Sequence, residues 1–206
     1  MTVFYKFNGK MYANITNKCS CSCVFCIRKN SNTVGKNDSL WLEHEPDYDE
    51  IISEFQAFDK TDLTELVFCG YGEPLERAEL LIEIACYVKI HTQMSIRINT
   101  NGLVNFINPQ FDISAMKGVI DSVSISLNAS TPDLYNTLVK PKFGLPSYNA
   151  LLNFAIIIQE YVPEVSFTLV DYNLSEEEKE ACAERARDIG IPLRIRKYII
   201  NNEDYN

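Results

Sequence analysis

Six short β-rich runs, at residues 12–16, 65–69, 95–99, 122–127, 165–170 and 193–198, punctuate this 206-residue chain, and longer helical patterns fill the intervals. Several of the runs follow one another at about 27 to 30 residues, the length of a βα unit with short loops. That rhythm predicts parallel strands joined by right-handed crossovers.

The helical intervals carry start and stop signals. Asp47, with Glu50 three residues on, reads as a capping box, and Ile51, Ile52, Phe55 and Phe58 then form an apolar face. Ser175 with Glu178 repeats the signature, Gly190 supplies a C-terminal stop, and Pro192 prevents continuation. The run Glu176-Glu177-Glu178 suits a helix N-terminus facing water. Leu81, Ile84, Ala85 and Val88 mark another helix, and Leu151, Leu152, Ala155, Ile156 and Gln159 a further one before Pro163. All of these stripes are expected to pack in the core. No internal repeat, low-complexity segment or interdomain linker is visible, so residues 1–206 are expected to form one domain. The long irregular stretch, residues 29–45, is polar except for Val34, Leu40, Trp41 and Leu42. Two expectations stand for it: a flap over whatever the preceding cysteines hold, or a surface loop anchored by the packing of Trp41.

Composition is that of a globular protein, with 46% hydrophobic and 23% charged residues. A net charge of -9 gives nucleic acid no general attraction, although Arg194, Arg196 and Lys197 make a local basic group. The longest dense apolar stretch, residues 154–158, is far too short to span a bilayer, and no cleavable leader is visible. Seven cysteines, three of them at metal-ligand spacing, favour a reducing cytoplasmic location over a secreted disulfide framework.

Those three are Cys19, Cys23 and Cys26, in Cys-x3-Cys-x2-Cys spacing directly after the first run, with Phe25 before the last. Three thiolates so placed can hold three irons of a 4Fe-4S cube and leave the fourth open to a substrate or cofactor. Cys21 lies inside the triplet, so Cys-x-Cys-x2-Cys also fits part of a zinc site, and spacing alone decides little. Cys21 is expected to point away from a cluster. Cys69, Cys86 and Cys182 are expected to be packed thiols, and His44 and His91 to cap or lie on the surface.

A second motif, Cys69-Gly70-Tyr71-Gly72-Glu73-Pro74, ends the second run and opens a helix. Its glycines let backbone approach a ligand, Glu73 offers a carboxylate to an ammonium group, and Pro74 suits a first helical turn. In isolation it reads equally as a plain strand-to-helix turn.

Taken together, the triplet and the Gly-x-Gly-Glu-Pro segment resemble the radical S-adenosylmethionine (SAM) superfamily. Arg97-Ile98-Asn99-Thr100-Asn101-Gly102 looks like that family's T-N-G strand end, and Ser124-Ile125-Ser126-Leu127-Asn128 like its S-L-D strand. More narrowly, Asn14-Ile15-Thr16-Asn17, the Cys-x-Cys interior, Phe25-Cys26-Ile27-Arg28, Leu40-Trp41-Leu42 and the Gly-Tyr-Gly-Glu-Pro variant resemble the radical SAM proteins associated with TatD-type nucleases. The resemblance implies a partial (β/α)6 TIM-like barrel with a curved parallel sheet, because a complete barrel normally needs about 250 residues. It implies a 4Fe-4S cluster on Cys19, Cys23 and Cys26, with SAM on the open iron. Reductive cleavage of SAM then gives methionine and a 5'-deoxyadenosyl radical that abstracts hydrogen from a substrate.

Other roles follow from the same resemblance. Phe25 should lie near the adenine, and Gly70, Gly72 and Glu73 should surround the methionyl ammonium. Ser126 should contact the SAM carboxylate or ribose. Asn128 keeps a hydrogen-bonding side chain where the family has an acid. Thr100 and Asn101 lie where strand ends face the cofactor, or form a tight turn with Gly102. A one-electron donor such as flavodoxin or ferredoxin is required. Because the barrel is incomplete, a large substrate, the 29–45 loop, a homodimer mate or a protein partner should cover its open side. The competing readings are a zinc-stabilised binding module and an iron-sulfur regulator or electron carrier that binds SAM poorly.

Overall fold

An Asn8-Gly9 turn, with φ of 49° and 70°, opens the architecture. It closes a two-residue hairpin between β1 (Phe4–Phe7) and β2 (Lys10–Ala13), which pair antiparallel from Phe4↔Ala13 to Phe7↔Lys10. Both turn residues occupy the left-handed region that such tight hairpins require. The hairpin adds a strand to the expected six. The computed structural model describes residues 1–35 and 37–199.

After β2 the chain runs through α1 (Tyr48–Ala57), β3 (Glu65–Phe68), α2 (Ala78–His91), β4 (Ser95–Thr100), the short α3 (Val104–Ile107) and β5 (Ser122–Ser126). It continues through α4 (Pro132–Val139), α5 (Pro146–Ile158), β6 (Glu164–Asp171), α6 (Glu176–Ile189) and β7 (Leu193–Lys197). Among the described residues the sheet has seven strands in sequence order, and β2 to β7 are all parallel. Consecutive parallel neighbours need crossovers, and the expected βα rhythm supplies them. Among the described residues β1 and β7 form the two edges of the sheet, so the barrel is partial.

Strand alternation divides the sheet into two faces. Leu66, Phe68, Ile96, Ile98, Val123, Ile125, Phe167 and Leu169 are buried in one hydrophobic core with the stripes of α2 and α5. Burying each such side chain contributes roughly 1.5–3 kcal/mol. The opposite face carries Tyr12, Arg97, Asn99, Ser124, Ser126, Ser166, Thr168, Arg194 and Arg196. The register aligns Tyr12 through Val67 with Arg97, and Thr168 with Arg194. A closed barrel fills this space with bulky branched residues, whereas here polar and cationic groups line it.

Several local expectations change in the folded chain. The Asp47–Glu50 capping box forms in full, and His44 Nε2 lies 2.9 Å from Glu50 Oε1 beside it. Ser175 caps α6, but Glu178 does not complete a box or face water. Its carboxylate turns inward to accept from the Ser130 N–H at 2.6 Å and the Ser130 hydroxyl at 2.8 Å, joining α6 to the loop after β5. Ile156 is 52% exposed, because the buried stripe of α5 runs through Leu151, Phe154, Ala155 and Ile158.

The 29–45 loop is anchored by Val34, Leu40 and Leu42, all buried, rather than by Trp41, which is 38% exposed. Asn14 Nδ2 donates to Leu40 O at 2.6 Å, and Asn17 exchanges two bonds with Leu42. These bonds hold the loop beside β2. None of its described residues lines the cysteine cavity described below. No helix among the described residues is long and apolar enough to cross a membrane.

Candidate functional site

The carboxyl ends of β2 to β7 converge on a cavity of about 230 Å³. Cys19, Cys23 and Cys26 line it, as do Phe25, Gly70, Gly72, Glu73, Thr100, Asn101, Ser126 and Asn128. Residues far apart in sequence thus meet because parallel strands end at the same side of the sheet, where ligands of open α/β folds bind.

The cysteine loop is braced from both flanks. On one side Ser22 N–H donates to Val139 O, Val24 N–H to Leu138 O and Lys142 N–H to Ser20 O, stitching the loop to the C-terminal end of α4. On the other side Glu73 N–H donates to Lys18 O at 2.8 Å. Arg28 reaches the carbonyls of Asn17 and Tyr71, Lys29 that of Cys23, and Arg77 that of Ile15. Such bonds satisfy the polar backbone of an otherwise irregular segment.

Gly70 and Gly72 owe their identity to this close approach. A Cβ at Gly70 would overlap the Asn14 side chain, and one at Gly72 would overlap the carbonyls of Thr16 and Lys18. The sequence reading assigned the glycines to a ligand. They also serve the contact of the β3 turn with Asn14 and with the start of the cysteine loop.

Glu73 is 4% exposed and accepts from Thr100 Oγ1 at 2.6 Å, Asn101 N–H at 2.7 Å and Leu75 N–H at 3.1 Å. Burial, together with the nearby Cys19, pushes its carboxyl up to about 8 despite those donors. A cation brought into the cavity would favour the ionised form. Thr100 and Asn101 therefore position Glu73, and the tight turn forms as well, with Gly102 at φ 75°. The Asn101 side chain is engaged at both ends, donating to Ser20 Oγ and accepting from Leu103 N–H. Asn128 has φ 58°, a region asparagine tolerates, and its Oδ1 accepts from Val170 N–H at 3.2 Å.

Among the thiols, a hydrogen bond with Cys21 holds Cys19 down at about 7, and burial pushes Cys23 up to about 12. Cys21 does not point away: it is buried, lines the same cavity and receives Asn101 Nδ2 at 3.5 Å. Cys69 also lines the cavity, while Cys182 is packed as expected. Phe25 lies 5.9 Å from the Tyr172 ring.

Among the lining residues absent from the sequence reading of the site are Tyr135, Arg196 and Lys197. Tyr135 of α4 is buried, and its hydroxyl has no hydrogen-bond partner among the described residues. Arg196 and Lys197 arrive from the end of β7. The period-2 pattern Leu193-Arg194-Ile195-Arg196 at a parallel strand end was the available signal.

Three sulfur donors, a buried carboxylate of raised pKa and an orphaned hydroxyl around one cavity suit a group that brings iron and positive charge. Among the described residues no three His, Cys, Asp or Glu side chains are set to hold a single metal ion. A cube, with each thiolate on a different iron, asks for sulfurs spread around a cavity.

A family model described as the Radical SAM superfamily matches residues 13–193. The chain belongs to the radical SAM superfamily. Members of this superfamily are enzymes that hold a 4Fe-4S cluster and bind SAM, which they cleave with an electron from a reductant. GTP 3',8-cyclase of Petrotoga mobilis is 26% identical over 127 residues, covering 62% of this chain and 36% of that protein. This chain thus spans about a third of the curated relative it matches.

Solved structures of other proteins share the fold. A radical SAM methyltransferase from Sphaerobacter thermophilus has a TM-score of 0.66 at 18% identity, covering 94% of this chain and 68% of its own. Streptococcus suis SuiB bound to precursor peptide SuiA has a TM-score of 0.65 at 13% identity, covering 95% and 40%.

Proposed function

We propose that this chain is a radical-generating iron-sulfur enzyme in which Cys19, Cys23 and Cys26 hold the cluster and the remaining cavity residues hold SAM. The observation that carries this reading is that the triplet, the glycine turn and the strand-end residues line one cavity. When bound, the cluster and SAM would supply one-electron chemistry, the reductive cleavage of SAM and the abstraction of a hydrogen atom from substrate.

The chain's own residues bind, orient and exclude water. Glu73 receives the SAM ammonium, with Thr100, the Asn101 N–H and the Leu75 N–H fixing its two oxygens. Gly70 and Gly72 bring backbone to the same end of SAM while keeping the cysteine loop seated. Phe25 would lie toward the adenine and Ser126 toward the carboxylate or ribose, both residues lining the cavity. Asn128 needs no negative charge to hold Val170 N–H, which accounts for an amide in place of the family's acid.

The finer assignment is to the TatD-associated radical SAM proteins. Its support is that the segments carrying that resemblance touch one another. Asn14 Oδ1 accepts from Tyr71 N–H and Asn14 Nδ2 donates to Leu40 O, while Arg28 reaches Asn17 O and Tyr71 O. Trp41 meets the Tyr71 ring edge-on at 5.1 Å.

Residues 1–206 act as a single core domain in the cytoplasm, reduced by a one-electron donor such as flavodoxin or ferredoxin. A second copy or a protein partner covers the open side between β1 and β7. Anaerobic reconstitution with iron and sulfide, followed by dithionite and SAM, tests the reading. Release of 5'-deoxyadenosine is expected. A fully loaded cluster that releases none makes the chain a regulator or electron carrier, and zinc in place of iron makes it a binding module.

A further inference from the structure

A second cavity, of about 350 Å³, runs along the inner face of the sheet and shares Cys69, Gly70, Asn99 and Arg196 with the cysteine cavity. Its volume lies within the range of about 300–1,000 Å³ usual for small-molecule sites. Two properties set it apart.

The first is charge. Lys10, Arg97, Arg194, Arg196 and Lys197 line it, and no carboxylate does so among the described residues. Glu65, just outside, pairs with Lys10 and lies 3.4 Å from Arg97 Nε, which has no hydrogen-bond partner. Arg194, Arg196 and Lys197 have no ion pair among the described residues. Partial burial, with the neighbouring Arg196 and Arg97, pulls Arg194 below the ordinary arginine range. This accumulation sits in a chain of net charge -9, so a polyanion would be repelled by the surface, while a small anion could enter and be held.

The second is an aromatic wall. Tyr5 and Tyr12 stack at 5.2 Å with planes 28° apart, and Phe7 meets Tyr12 at 5.7 Å. Val34 and Leu40 continue this wall from the 29–45 loop. Guanidinium forks recognise planar oxyanions in bidentate fashion, and aromatic surfaces take rings.

We infer that this cavity is the substrate chamber and takes a small molecule built from an aromatic ring and a phosphate or carboxylate group. The oxyanion is held by Arg194 and Arg196, and the ring lies along Tyr5, Tyr12 and Phe7. The inference rests on the radical-enzyme reading for which end of the ligand reacts: the shared wall turns one part of it toward SAM.

Calorimetric titration of the reconstituted, SAM-loaded protein with phenyl phosphate, benzoate, inorganic phosphate and benzyl alcohol tests it. Phenyl phosphate or benzoate should bind at least about tenfold more tightly than either inorganic phosphate or benzyl alcohol, and the tighter of the two identifies the oxyanion. Arg194→Gln should weaken that binding about tenfold, Arg194→Lys should retain part of it, and the Arg194→Gln, Arg196→Gln pair should weaken it further. Both positions are exposed on β7, and an unchanged melting temperature checks that the variants fold.

Benzyl alcohol binding as tightly as the anions overturns the inference, and so does unchanged anion affinity in the double variant. If wild-type protein releases 5'-deoxyadenosine while either of those results is obtained, the chamber assignment fails and the radical reading stands. If arginine-dependent binding is seen without 5'-deoxyadenosine, the radical reading fails instead.

Discussion

Two cavities on the inner face of the sheet, the one around the cysteines and the one lined by Arg194, are built on opposite terms. Around the cysteines, most polar groups already hold protein partners: Glu73 takes three donors, Asn101 is bonded at both ends, and three basic side chains tie down the loop carbonyls. Along the strands beyond, cations stand together with little protein charge to answer them. The first arrangement fixes a geometry, as a site for an invariant cofactor pair requires. The second leaves binding capacity for a ligand that comes and goes. The lesson is that saturation of internal hydrogen bonds marks the part of a site that must not move.

Substitutions at the saturated end should therefore be costly and those at its margin mild. Cys23→Ala should remove the cluster and bring 5'-deoxyadenosine formation to background, a loss of at least about 100-fold, read as iron per chain and product by chromatography. Gly72→Ala forces a Cβ into two backbone carbonyls and should cost about 2–4 kcal/mol in urea unfolding. A loss under about 0.5 kcal/mol would remove the close-packing argument. Thr100→Val deletes the 2.6 Å bond to Glu73 and should weaken SAM binding about tenfold, measured by equilibrium dialysis.

Glu73 also sets a pH dependence. Its folded carboxyl is raised to about 8, so between its ordinary value of 4.5 and about 8 the folded chain binds more protons than the unfolded one. Stability of the cluster-free protein should therefore fall as pH rises through that window. Glu73→Gln should flatten the slope; an unchanged slope assigns it to another group. Trp41→Ala should have the smallest effect, about 1 kcal/mol or less in thermal melting, because the ring is 38% exposed and meets Tyr71 only by its edge.

Legibility followed the same division. The βα rhythm announced β2 to β7, because a buried parallel sheet imposes its period on the chain. The Asn8-Gly9 hairpin was equally legible, as a strong turn dipeptide between alternating residues, yet β1 went unread. Motif spacing brought the cofactor-end residues to one cavity, since they sit at strand ends. What spacing could not convey was orientation. Cys21 turns inward under Asn101, Glu178 reaches across to Ser130, and Tyr135 presents a buried hydroxyl from a helix with no motif. Arg194 and Arg196 read only as part of a local basic group because their place in the fold depends on register. Only the pairing of β6 with β7 sets them on the inner face.

Electron paramagnetic resonance of the reconstituted, dithionite-reduced protein, with and without SAM, tests the central claim most directly. SAM at the open iron should change the spectrum of the reduced cluster, and Glu73→Gln should require about tenfold more SAM for the same change. A spectrum that SAM leaves untouched in protein carrying a full cluster would contradict the account.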